Sequence, residues 1–381
     1  MNRSILDSLR AHALQRGDAI ALVSQQQTLT YAELDSRVNA WASQLPGQTL
    51  GLLLDNGPDW LVLDLAARQR GITCIPLPLF FSDAQIRAII EQAGIDSLIT
   101  DQPARASALL PEHAKALESS PFSALRLFSI PASPTSAKPV TEITKITFTS
   151  GSTGTPKGVC LRAEAIDTVA HSLCQAVEAN PQDRLLSLLP LSTLLENIAV
   201  YAGLIAGGEV HLPSLQHTGV SMSGLDVERL CQAISRARPS VIITVPELLQ
   251  ALVYAAHSGW TAPDSLRFIA VGGAPVSRVL LEQAAQLGLP VFQGYGLSEA
   301  ASVVCLNTRQ ANRPGSVGRP LPHGRIALNE DGEVLVKGPN LFSGYLARIS
   351  HRITAAAAQC GALTGVRSVG LTGGNATGIP G

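Results

Sequence analysis

The chain has 381 residues, 46% of them hydrophobic and 15% charged, with a formal net charge of -1. That length and apolar content allow a large buried core and more than one subdomain, while the near-neutral balance gives no electrostatic reason to expect nucleic acid or an anionic membrane as partner. The six cysteines, Cys74, Cys160, Cys174, Cys231, Cys305 and Cys360, stand singly, so no C-x-x-C pair points to zinc or redox chemistry and reduced thiols are expected.

Residues 1–16 mix Asp7 with arginines and lack a continuous apolar stretch, so they read as neither signal peptide nor membrane anchor. Apolar runs such as 50–54 and 241–245 are far too short to span a bilayer and suit buried strands. A cytoplasmic protein is the expectation.

In chain order, Thr30 and Glu33 have capping-box spacing, and Leu34, Val38 and Trp41 follow at helical intervals, which predicts a helix starting near Tyr31. Residues 50–54 read as a strand, 59–69 as a helix closed by Gly71, and 72–75 as a short strand stopped by Pro76. Residues 83–93 and 95–100 repeat the order, and this alternation argues for parallel βαβ units in an α/β domain. The Pro-, Ser- and Ala-rich stretch 121–140 reads as a connection. Helices are then expected over 163–177, 194–206, 227–236 and 246–256, and strands over 185–189, 241–245 and 266–271.

The chemistry gathers first at residues 146–159, where an apolar, β-prone run passes into hydroxyl and glycine residues. Gly151 and Gly154 let backbone amides turn inward without a Cβ in the way. Thr149, Ser150, Ser152 and Thr153 add hydroxyl donors, and Lys157 adds a cation, so the loop can hold phosphate. Pro156 and Gly158 stand where a Walker A loop needs glycine and serine or threonine, which excludes that motif. Two further strand ends carry small or polar residues. One is Gly272-Gly273-Ala274-Pro275, where a flat ring could approach the backbone closely. The other is Gly294-Tyr295-Gly296-Leu297-Ser298-Glu299, which presents an aromatic ring, a hydroxyl and a carboxylate together. Left to themselves, Tyr295 also reads as a half-buried core tyrosine and Glu299 as an acid in the first turn of a helix.

The string Thr-Ser-Gly-Ser-Thr-Gly-Thr-Pro-Lys-Gly resembles the phosphate loop of the adenylate-forming superfamily of acyl-CoA synthetases, peptide-synthetase adenylation domains and firefly-type luciferases. The two later stretches resemble its other nucleotide motifs, in the right order. The resemblance runs from Thr30 to Leu346. It implies a large N-terminal adenylation domain (residues 1–346) of stacked βαβ subdomains with a small β-rich subdomain that includes 332–338 and Gly344-Tyr345.

It further implies ATP and magnesium as cofactors, and an acyl-adenylate passed to coenzyme A or to a carrier-protein phosphopantetheine arm. In that scheme Lys157, Ser298 and Glu299 are catalytic, Tyr295 stacks on adenine, Ser298 contacts the α-phosphate and Glu299 ligates magnesium. Residues 149–154, Gly273, Ala274, Pro275, Gly294 and Gly296 line the nucleotide, while Thr193, Gly272 and Gly294 border the acyl substrate. Thr193 stands where relatives place a histidine or aromatic residue, and Glu196 and Asn197 read as polar residues of the following helix. No aspartate near this segment could hold a substrate amine, so a fatty or aryl acid is favoured over an amino acid.

The resemblance also implies a ribose-binding aspartate, a hinge and a mobile C-terminal domain with a catalytic lysine after Tyr345, and none is found. Residues 347–381 contain no lysine, no acid and no Phe, Trp or Tyr, so a poorly structured tail and a truncated, impaired ligase are expected. The alternative is a catalytically silent nucleotide- or acyl-binding protein.

Overall fold

The computed structural model describes residues 3–117, 125–131, 142–149, 156–221, 224–346 and 364–366. Ser150, Gly151, Ser152, Thr153 and Gly154, and the tail apart from a strand at Thr364–Val366, lie outside the described residues.

A nine-stranded and an eight-stranded sheet organise the protein. The first runs, edge to edge, through Arg319–Pro320, Ser302–Leu306, Val291–Leu297, Phe268–Val271, Val241–Thr244, Arg184–Leu186, Glu209–His211, Ile20–Val23 and Thr28–Thr30. Its interior strands are parallel and its outer pairings antiparallel. The second sheet is built around parallel Thr73–Pro76, Thr49–Leu53 and Ser97–Thr100, with Ile143–Thr149 parallel to Thr73–Pro76. The parallel strands read as unbroken apolar runs because both faces are covered: Thr49–Leu53 is buried at every residue, as is Val241–Thr244.

The layer between the sheets is helical. Pro58–Arg70 is buried at Pro58 and from Trp60 through Ala67, and Leu194–Ile205 is buried at nearly every position, as expected of helices with no water-facing side. Local signals fix their ends. Thr30 and Glu33 form the expected capping box at Tyr31–Gln44, and Gly71 closes Pro58–Arg70 in the left-handed conformation with φ 73°. No helix of the described residues is long and apolar enough to cross a membrane.

One polar cluster sits inside this apolar layer. Lys145, on the strand that leads into the phosphate loop, is 1% exposed. Its ammonium lies 2.9 Å from Asp64 Oδ1 and 3.2 Å from the Tyr201 hydroxyl, also donates to Asn197, and stands 5.5 Å from the centre of the Trp60 ring. Tyr201 in turn donates to Asp64. The cluster ties the phosphate-loop strand to both interior helices, Asp64 and Trp60 coming from one and Asn197 and Tyr201 from the other.

Two expectations are corrected. Gly344–Tyr345 does not belong to the small β-rich sheet formed by Arg325–Leu328, Val334–Lys337 and Thr364–Val366; it pairs with Lys157–Arg162 as the edge of the eight-stranded sheet. The stretch read as a plain connection contains the strand Arg126–Ser129, which pairs antiparallel with Ser97–Thr100. Its proline and serine content masked a segment too short to show a period.

Candidate active site

The C-terminal ends of the parallel strands and the phosphate-loop hairpin meet at one place. Ile143–Thr149 and Lys157–Arg162 pair antiparallel with Thr149 opposite Lys157. The segment 340–346 closes over this hairpin. Leu346 N–H donates to the Gly158 carbonyl at 2.8 Å, Ser343 N–H to Cys160 at 2.9 Å and Phe342 N–H to the Glu299 carbonyl at 2.8 Å. These bonds place Tyr345 between two expected site residues. Its hydroxyl donates to Glu299 Oε1 at 2.7 Å, and its ring centre is 5.9 Å from Lys157 Nζ. Burial and the neighbouring Glu299 carboxylate push the Tyr345 phenol up to about 12, so it stays a hydrogen-bond donor to Glu299 across the neutral range.

Gly272 and Gly273 follow the strand Phe268–Val271, and Gly294, Tyr295, Gly296 and Ser298 run along and just past Val291–Leu297. All six line one cavity of about 320 Å³, together with Thr193. Gly273 sits at φ +81° with no atom closer than 3.6 Å to where a Cβ would stand, an open backbone surface of the kind a flat ring can approach. At Gly296 the constraint is packing: a Cβ there would lie 1.8 Å from the Ser302 carbonyl oxygen, where the strand turns into the Ser298–Ala300 turn. Ala274 and Pro275 are exposed beyond the cavity rim. Tyr295 is half-buried, and burial, Cys305 and Glu299 raise its phenol.

The cavity entrance is shaped by the loop 187–193, pinned from the other sheet. Asn56 donates to the Leu189 carbonyl at 2.8 Å and accepts from Leu191 N–H at 2.8 Å. Thr193 precedes the helix Leu194–Ile205, and its hydroxyl donates to the Pro190 carbonyl at 2.7 Å. Its polar group is therefore spent inside its own turn. Glu196 belongs to the following helix as expected, but it does not face water. It is fully buried, accepts from Leu188 N–H at 3.2 Å, and leaves Oε2 without a partner. Burial pushes its carboxyl up to about 8, against the opposing hydrogen bonds from Ser187, Leu188 and Leu189.

A raised carboxyl stabilises the fold fully below its unfolded pKa and loses that contribution as pH rises through its folded one. Denaturant unfolding of the parent should therefore weaken steadily between about pH 5 and pH 8, and Glu196→Gln should remove this slope and gain a few kcal/mol at pH 8. A variant that keeps the slope would assign it to other groups.

The structure thus brings together Lys157, Glu299, Ser298, Tyr295, Gly272, Gly273, Gly294, Gly296 and Thr193, with Thr149 at the hairpin's start; Ser150 through Gly154 lie outside the described residues. Sequence reading missed Tyr345 as a partner of Glu299, because its contact depends on which sheet edge it joins. It also missed the cavity wall formed by Ala199, Ala202, Gly203 and Ala206. Their i, i+3, i+4, i+7 spacing was the available signal. Among the described residues no three of His, Cys, Asp or Glu converge as a metal cage. A lone carboxylate such as Glu299 suits magnesium, which is commonly held by one or two carboxylates plus phosphate oxygens and water.

Comparison with known proteins points to one family. The AMP-binding enzyme family matches residues 9–346. A feruloyl-CoA synthase from Amycolatopsis sp is 30% identical over 350 residues, covering 84% of this chain and 67% of that protein. The structure of o-succinylbenzoate CoA synthetase from Bacillus subtilis in complex with its acyl-adenylate intermediate superposes with a TM-score of 0.73 at 25% identity, covering 93% of this chain and 72% of the other. The same Bacillus subtilis enzyme in complex with ATP and magnesium ion gives 0.72 at 25% identity, covering 91% and 73%.

Proposed function

Because the chain belongs to the AMP-binding enzyme family, we propose that it activates a fatty or aryl carboxylic acid with ATP and magnesium and passes the acyl group to the thiol of coenzyme A, residues 1–346 forming the adenylation domain. A carboxylate oxygen attacks the α-phosphorus and pyrophosphate leaves; the thiol sulfur then attacks the acyl carbon and AMP leaves. The observation that carries this reading is that Tyr345 bridges Lys157 and Glu299, and Glu299 follows Ser298, a lining residue of the apolar cavity bordered by Gly272, Gly273 and Gly294.

In this reading the acid occupies the cavity with its carboxylate toward Gly272 and Gly294, and Tyr295 faces the base beside the open backbone of Gly273. Ser298 and Lys157 face the phosphates, where charge builds as pyrophosphate departs. Magnesium, held by Glu299, would neutralise phosphate charge. Tyr345, by donating to Glu299 Oε1, would orient the carboxylate that holds the metal, the usual task of a group behind a metal ligand.

Glu299→Gln tests the assignment. Calorimetry should show ATP binding weakened by at least about tenfold in the presence of magnesium and little changed with the metal chelated. An equal loss under both conditions would reduce Glu299 to a residue of its turn.

A second reading, a nucleotide- or acyl-binding protein that does not turn over, is favoured by one observation. Residues 347–381 contain neither lysine nor acid, so this tail supplies neither the ribose carboxylate nor the late lysine that the family pattern places there.

A further inference from the structure

The cavity bordered by Gly272 and Gly294 does not end near the nucleotide side. It continues along the face of the nine-stranded sheet to Asp183, Gly208 and Glu209, which stand at the opposite ends of the strands. Both walls give the same length. Along the helix, lining residues run from Leu195 to Ala206, a rise of about 16 Å; along the sheet they run from Phe268 to Gly273, again about 16 Å. The space exists because the helix turns Ala199, Ala202, Gly203 and Ala206 toward the strands, while its other side carries Asn197 and Tyr201 into the Lys145 cluster. Opposite this stripe the sheet offers Val241, Ile243 and Ala270, with Phe268 at the far end.

Charge along this passage is one-sided. None of the lining side chains is Lys, Arg or His. Among the described residues the charged lining residues are the two far-end acids, and each is paired with a cation. Asp183 is held by Arg267 at 2.6 Å and by the Ser240 hydroxyl at 2.7 Å, and Glu209 lies 3.3 Å from Arg184 Nε. A second carboxylate on a substrate would lose its water in the apolar passage without meeting a cation there, and at its end would find Arg267, Arg184 and His211 already committed to Asp183 and Glu209, a placement that costs more than it returns.

We propose that the acid this protein takes is a straight-chain, uncharged fatty acid of medium to long chain, its tail running the whole passage to Asp183 and Glu209, with Ala202 and Ala270 setting the accepted length. This rests on the functional reading above, since it places the carboxylate at Gly272 and Gly294.

The test is calorimetry on the full chain with acyl-sulfamoyl adenosines, non-hydrolysable mimics of the acyl-adenylate, in a series from butanoyl to dodecanoyl. Affinity should climb about three- to fourfold per methylene while the tail stays in the apolar passage. A dodecanoyl mimic carrying a terminal carboxylate should bind at least about tenfold more weakly than the plain one. Ala202→Leu and Ala270→Leu narrow the passage from opposite walls, and either should collapse the dodecanoyl-to-butanoyl affinity ratio. The pair guards against one of them misfolding.

A flat series, an unaffected ratio in folded variants, or equal binding of the carboxylated mimic would overturn the proposal while leaving acid activation standing. If no mimic binds, the functional reading fails and the proposal falls with it.

Discussion

Lys145→Met is expected to lower the free energy of unfolding by about 3–5 kcal/mol, the range found when one partner of a buried ion pair is removed and the other is left in place. The magnitude follows from position. Asp64 is 1% exposed and faces the Lys145 ammonium, the Tyr201 hydroxyl and the Asn197 amide. Burial by itself would raise its carboxyl. The lysine charge, together with hydrogen bonds from Tyr201, Lys145 and Cys74, instead holds it below the usual carboxylate range. Methionine keeps the length of the chain and removes the charge, so the loss reports on electrostatics more than on packing.

A depressed carboxyl stabilises above its unfolded pKa, and that contribution is lost as pH falls through the folded one. The parent should therefore shed this stability only below about pH 4, whereas the variant should have lost it already at pH 7. Urea midpoints at an unchanged slope are the measurement. A difference under about 1 kcal/mol would mean that the cluster does not hold the two sheets and their interior helices together.

Lys157→Ala should leave stability nearly untouched, because the side chain is exposed at the start of its strand, yet lower adenylation by about two to three powers of ten. That is the usual cost of losing one preorganised group facing charge that develops in the transition state. Lys157→Arg should recover part of the rate, since it restores charge without the same reach. A rate within about threefold of the parent would remove Lys157 from the phosphate site, and a large fall in melting temperature would show that it serves the hairpin instead.

The parts of the architecture visible in the sequence are those set by neighbouring residues. The capping box at Thr30 and Glu33, the left-handed Gly71 and the run Asp83–Ala93 each specify a helix end or face through contacts within a few positions, and the structure places them there. Antiparallel edges were less legible. Gly344–Tyr345 and Arg126–Ser129 are two and four residues long, too short for a period, and Gly344–Tyr345 has its partner far away in sequence.

The candidate site shows the same division. Gly294, Tyr295, Gly296 and Ser298 could be read from one string because a single strand end carries them. The contact of Tyr345 with Glu299, by contrast, spans 46 residues. Glu196 was placed in its helix by sequence, but its burial was not visible there. Its burial follows from Leu194–Ile205 lying between the two sheets, a property of the assembled layers. The stripe of Ala199, Ala202, Gly203 and Ala206 had the right spacing, but small residues at helical intervals signal close packing as readily as an open passage.

On the proposed function, this chain joins a carboxylic acid to the α-phosphate of ATP. Exchange of labelled pyrophosphate into ATP, run with and without decanoic acid in the presence of magnesium, tests it most directly. The expected result is exchange that requires the acid, saturates with its concentration and falls by about two to three powers of ten in Lys157→Ala. ATP binding without acid-dependent exchange for any straight-chain or aryl acid would contradict the account and leave a protein that holds nucleotide without forming the acyl-adenylate.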